Sequence, residues 1–328
     1  MKYHIHKLEL VYPPISNQEA EWIKEDPEVQ KEIKLSNLYM IGQKPESFFI
    51  FHNTDINKII NKRSLTFSYN TLEKSSETGI DIFKILELNK KDENDIAKLE
   101  IELGPKLIRF LWSKSESENE LLDWFTTEKY LWNKSRKHPA IWGFYNFSEF
   151  FKYHLHYIGI SKKEDSLSRL VIRPHDKRLR VLSNVKAKSP GSRPTDEIVL
   201  FFFKLNTLRI HKYSFDQYNE LANGISNTFN DSNMIIADAE KAFIKILNTE
   251  FNIIKYKNYP VSNDGMFNED VARYGYFLGE DITFLTNENS IRGKYTPYEI
   301  PLDNNADFIF IDKTSKKVEL LRYDELTV

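Results

Sequence analysis

Six consecutive apolar residues, Ile198-Val199-Leu200-Phe201-Phe202-Phe203, form the longest apolar run in the chain. A run of that length fits a buried strand and falls far short of the ~18 residues of a membrane span. Covering it needs a sizeable core, and 328 residues are enough for one, or for two or three small domains. The second strong pattern is a helix over Asn233–Phe251, where Ile236, Phe243, Ile246, Leu247 and Phe251 recur at helical spacing.

Around these two elements the chain reads as three parts. Residues 1–133 predict an α+β domain, with strands over Lys2–Val11, Leu38–Ile41, Phe48–His52 and Ser64–Tyr69. In the same part, Glu118–Trp132 predicts a helix with a broad aromatic face. His4 and His6 share one face of the first strand and, with no third ligand nearby in sequence, read as a surface pair rather than a metal site. Lys134–Pro139 is a basic, polar connector. Residues 139–260 form the central domain. There Ala140–Phe147 and Leu155–Ile160, joined by a short segment, predict an antiparallel hairpin. A helix-prone stretch follows over Ser166–Leu182, interrupted at Pro174, and Ser214–Ala222 predicts a short helix. Residues 261–328 predict a β-rich unit ending in a hairpin of Asp307–Asp312 and Lys317–Arg322.

The absence of cysteine excludes disulfides, thiolate metal sites and cysteine nucleophiles, and fits a cytoplasmic protein. The first ten residues lack the apolar core of a signal peptide, so no membrane partner is expected. Neither a phosphate-binding glycine loop nor a dinucleotide fingerprint occurs.

The net charge of -2 conceals a local excess. Between Lys152 and Arg193 eleven basic residues face three acids, a balance of +8. Lys162, Lys163, Arg173, Lys177, Arg178, Arg180, Lys186, Lys188 and Arg193 are the candidate phosphate contacts. On the later helix, Glu240 borders the apolar stripe. A carboxylate in that position calls for a cation, a metal or a solvent boundary.

Five features follow in order. They are Gly143-Phe144-Tyr145, Tyr157-Ile158-Gly159, Arg169 on the next helical stretch, Glu240 within Ala239–Ile244, and Asn252 twelve residues beyond Glu240. This set resembles the GIY-YIG nuclease superfamily over roughly 139–260. Phe144 stands where the first triplet usually has an aliphatic residue, and Arg169 follows the second triplet at longer range than usual. The resemblance implies a small antiparallel sheet flanked by helices, placed between the α+β N-terminal domain and the β-rich C-terminal unit. It implies Tyr145, Tyr157, Arg169, His175, Glu240 and Asn252 as catalytic residues, with Glu240 holding one Mg²⁺ or Mn²⁺. The implied activity is metal-dependent endonuclease cleavage of nucleic acid, expected to be DNA, as in restriction, phage defence or mobile elements. A second copy of the chain or a defence-system protein would be the partner. The alternative is a nucleic-acid-binding module, or a subunit of a larger assembly, that has lost the chemistry.

Overall fold

The apolar run begins a long strand, Ile198–His211, near the centre of a ten-stranded sheet. Its register explains why the run holds no polar residue. Ile198 to Phe203 pair antiparallel with Gln43 to Leu38 on one side, while Ile15–Ser16 and Leu10 pair on the other. Side chains alternate across a strand. Val199, Phe201 and Phe203 therefore enter one core, and Ile198, Leu200 and Phe202 enter a second.

The computed structural model describes residues 2–115, 118–162, 165–173, 176–211, 232–297 and 305–323. Lys163, His175 and the expected helix over Ser214–Ala222 lie outside them. The large sheet runs in the order Ser290–Arg292, Thr283–Leu285, Lys152–Ile160, Leu38–Gln43, Ile198–His211, Lys2–Leu10, Arg273–Leu278, Phe308–Asp312, Lys317–Leu321. The fold is α+β, but the three expected parts do not correspond to separate sheets, since each contributes strands to this one. The connector is also bonded inward. Arg136 reaches the fully buried Glu280 at 2.8 Å, and Glu280 in turn accepts the Leu10 N–H at 2.7 Å.

Residues 44–151 carry two further sheets. One orders Ile141–Gly143, Ser75–Asp81, Ser64–Asn70 and Phe48–Phe51; the other orders Leu99–Leu103, Leu107–Ser115 and Glu118–Thr126. Two expectations fail here. The aromatic segment 118–132 is a strand to Thr126 and a helix only over Thr127–Ser135, with the Thr126 hydroxyl accepting the Lys129 N–H as its cap. Leu122 and Phe125 face inward from the strand and Tyr130 and Leu131 from the helix, which gave the sequence its continuous apolar appearance.

The hairpin of 140–147 with 155–160 does not form either. Ile141–Gly143 pairs with Thr78–Ile80 instead. Gly143 and Phe144 both have positive φ, 68° and 57°, and two successive left-handed residues end the strand and turn the chain away. Phe144 is drawn into an aromatic cluster with Tyr69, Tyr130 and Phe150.

His4 and His6 are buried rather than at the surface, because their strand lies between two others in the large sheet. The His6 ring stacks on Tyr276 at 4.9 Å, and its Nδ1 lies 2.9 Å from the Thr207 hydroxyl. Burial lowers its pKa to about 3. None of the described helices is long and apolar enough to cross a membrane.

Candidate functional site

The strand Lys152–Ile160 pairs antiparallel with Leu38–Gln43, with Tyr157 opposite Ile41 and Gly159 opposite Tyr39. This register brings the Tyr39 and Tyr157 rings to 6.1 Å between centroids, and their hydroxyls are hydrogen-bonded to each other. Gly159 makes the approach possible. A Cβ there would stand 2.7 Å from Tyr157 Cε1 and 2.7 Å from the Tyr39 hydroxyl oxygen. Replacing Gly159 with alanine is therefore expected to push the two tyrosines apart, and the fluorescence or ultraviolet difference spectrum of the buried phenols reads the change.

Beyond Ile160 the chain turns into a wide helical stretch, Ser168–Ile172. Ser166 N–H donates to the Ser36 carbonyl, tying the stretch to the base of the Tyr39 strand. Arg169 is exposed, and its Nη1 donates to the Ile160 carbonyl at 2.7 Å, which fixes the guanidinium at the end of the Tyr157 strand.

The helix Ser232–Leu247 packs on the core that lies on the opposite face of the sheet from the two tyrosines, with Ala239, Ala242 and Phe243 buried. Four residues after the helix, the chain returns to the edge of the Tyr157 strand. Phe251 N–H donates to the His156 carbonyl, and the Asn252 amide bonds both backbone groups of Ile158, at 2.9 and 2.8 Å. Asn252 thus supplies the pairing that a neighbouring strand would give an edge. It also ties the Glu240 helix to the strand of Tyr157.

Glu240 itself is half-buried, within electrostatic reach of Tyr39, Tyr157, Arg169, Lys162 and Lys241. Burial raises its carboxyl to about 7, and the three cations oppose that rise without cancelling it. Among the described residues no hydrogen-bond donor contacts its oxygens. Asp264 is the second carboxylate. It holds Lys162 at 2.7 Å and also pairs with Lys241, and these bonds pull it down to about 2. The loop carrying Asp264 is fixed by the fully buried Asp238, which accepts bonds from the Tyr259 hydroxyl, the Tyr276 hydroxyl and the Met266 N–H at 2.6, 2.9 and 2.8 Å. The cluster thus sets three cations against two carboxylates.

The raised carboxyl has a consequence for stability. The folded state holds the Glu240 proton up to about pH 7, the unfolded chain only to the ordinary carboxylate range, so stability falls as pH rises between the two. Glu240→Gln is expected to raise stability by about 1–2 kcal/mol above pH 7, the full linkage value being discounted for partial solvent access. The gain should shrink as pH falls toward 5, as read by thermal unfolding.

Tyr157, Arg169, Glu240 and Asn252 therefore lie in one region. Tyr145 does not join them. It is 94 % exposed on the turn after Ile141–Gly143, in the second sheet, with Lys134 5.9 Å from its ring. Tyr39, not Tyr145, lies beside Tyr157 on the paired strand. Its strand was legible, but its partner strand lies beyond residues 44–151. Lys241, Asp264 and Tyr256 also escaped the sequence reading. Tyr256 carries a phenol pushed up to about 12 by burial and by Glu240 and Asp264.

The basic segment is not one surface. Arg178 is buried and clamps the Asn17 side chain at 3.0 Å and the Leu170 carbonyl at 3.2 Å, so it is unavailable to a phosphate. Arg193 pairs with Asp196. Lys162 and Arg169 stand at the cluster, Arg173 and Arg180 are exposed beyond it, and Lys177 is half-buried. Lys186 and Lys188 are exposed on the loop that faces His154 and His156.

No group of three or more metal-ligating side chains occurs among the described residues. Glu240, an oxygen donor with no hydrogen-bond donor on it among the described residues, suits a hard divalent ion held by one carboxylate and completed by water and phosphate oxygens. Asp264 adds no second ligand, because its oxygens are engaged by the two lysines. The chain matches no family model, no curated protein and no solved structure.

Proposed function

We propose that the chain is a metal-dependent nuclease of the GIY-YIG type whose first tyrosine is Tyr39 rather than Tyr145. The observation that supports this reading is that Tyr39 and Tyr157, side by side on paired strands, and Arg169 just beyond them lie within electrostatic reach of Glu240 on the later helix. Leu38 restores the aliphatic residue that Phe144 lacked, and residues 44–151 become an insertion between the two triplets. DNA is the proposed substrate, and restriction, phage defence or a mobile element the proposed setting.

Hydrolysis of a phosphodiester needs a placed water, a route for its proton and neutralisation of the phosphate. Arg169, fixed through the Ile160 carbonyl, faces solvent where a non-bridging oxygen would arrive, and a guanidinium can grip two such oxygens. Lys162 and Lys241 add positive potential. A divalent ion on Glu240 supplies Lewis-acid stabilisation of the phosphate and the leaving oxygen. Tyr157 is raised above its ordinary value by burial and by Glu240 and lowered by Arg169, so at neutral pH it is a phenol. Hydrogen-bonded to Tyr39, it can orient the attacking water as a phenol, and the water's proton then passes to a phosphate oxygen or to solvent, since neither raised phenol is a base at neutral pH. Asn252 keeps the strand in register beneath both rings.

Plasmid DNA incubated with the protein and Mg²⁺ or Mn²⁺ should be nicked or linearised. Chelation or Glu240→Ala should stop the reaction. Cutting undiminished by that substitution would overturn the reading.

A further inference from the structure

Immediately after Asn252 the chain leaves Ile253 and Ile254 exposed, at 71 % and 63 %. Isolated exposed apolar residues are common, but adjacent ones on a fixed ridge call for an explanation. This ridge is fixed at both ends. Asn252 is clamped to Ile158 on one side, and on the other Tyr259 is held by Asp238 and bonds back to the Tyr256 carbonyl. Between them Tyr256 sits at φ 45°, a left-handed conformation that is costly for a bulky residue and tends to mark functional sites.

Beside the ridge lies a groove of about 390 Å³. Lys257 and Asn258 line it in the open, together with Tyr256, the two isoleucines, Lys255, whose ammonium donates to the Thr249 carbonyl, and Lys241, which pairs with Asp264; among the described lining residues none is a carboxylate. The groove is continuous with the candidate site. Lys241 belongs to both, and the Tyr256 phenol feels Glu240, Asp264 and Tyr157.

We propose that this groove holds an unpaired stretch of nucleic acid next to the scissile phosphate, with bases against Ile253 and Ile254 and phosphates along Lys255 and Lys257. The proposal rests on the nuclease reading and narrows its substrate. Cations alone would suit any backbone. The apolar ridge favours unpaired bases, whose faces are already free, over paired ones, which must first be unstacked at a cost of about a few kcal/mol per step. A junction between duplex and single strand would offer both features to one continuous surface.

The test is fluorescence anisotropy in the presence of chelator, so that binding is read without cleavage. The probes are labelled single-stranded DNA, a blunt duplex, and the same duplex with an unpaired arm. The wild type should bind the arm-bearing duplex about ten-fold more tightly than the blunt one. Ile253→Ser/Ile254→Ser should abolish that preference and leave blunt-duplex affinity unchanged. Both residues are exposed, so the fold should hold; Lys257→Glu is the second variant, expected to weaken the arm-bearing probe selectively. Equal binding of both duplexes by wild type, or a preference that survives the isoleucine changes, would overturn the proposal. If the protein then still cuts plasmid DNA, the nuclease reading stands without it. Binding of no probe, with no cleavage, would remove both.

Discussion

Tyr39→Phe is expected to slow cleavage by about 10²–10³-fold, the scale seen when one placed hydroxyl or hydrogen-bond donor is removed from a transition state. Tyr145→Phe is expected to leave the rate unchanged. The contrast follows from register. Tyr39 lies opposite Gly159, shares a hydrogen bond with Tyr157 and lies within reach of Arg169 and Glu240. Tyr145 stands in solvent on the turn that follows a strand of another sheet. Phenylalanine fills the same volume in both positions, so a difference between the variants reports the hydroxyl. Single-turnover rates with Mn²⁺ measure it. Loss at Tyr145 with none at Tyr39 would return the first triplet to 143–145.

The largest expected effect on stability lies away from the site. Lys44 follows the Tyr39 strand, and Glu128 lies on the helix Thr127–Ser135; they pair at 2.8 Å with both side chains almost fully buried. Tyr69 lies 3.0 Å from the Lys44 ammonium, and the Tyr153 hydroxyl donates to Glu128. Burial lowers the Lys44 pKa, and Glu128 opposes that fall. Glu128→Ala would strand the ammonium among aromatic rings, and about 3–5 kcal/mol of stability should be lost. Lys44→Met/Glu128→Leu, which removes both charges, should recover most of it, as read by denaturant unfolding. Equal losses in the single and double variants would show that volume, not charge, decides the effect.

Local pattern carried the parts of the molecule that local forces decide. The run Ile198–Phe203 announced a buried strand, and alternation across two cores is the reason it could. The spacing of Ile236, Phe243 and Leu247 announced the helix that holds Glu240. Strand partners were not legible. Leu38–Gln43 and Lys152–Ile160 each read as strands, but nothing in either says that they pair across residues 44–151. By proximity alone, Ala140–Phe147 is the nearer partner for the second strand. Phe144 gave no warning of its left-handed backbone, which bulky residues seldom adopt. Arg178 illustrates the same limit for charge. In sequence it matches Lys177 and Arg180, and only packing against Asn17 separates it from them.

The central claim is that residues from the two strands, the following turn and the later helix act as one catalytic centre. Groups that work as a unit are not additive: once one is lost, the others have little left to contribute. The decisive measurement is single-turnover cleavage by Arg169→Ala, Glu240→Ala and the double variant, at saturating divalent ion. Each single change should cost on the order of 10³-fold, and the double should be no slower than the slower single. Losses that multiply in the double variant, or a single variant that cuts as fast as the wild type, would contradict a shared centre.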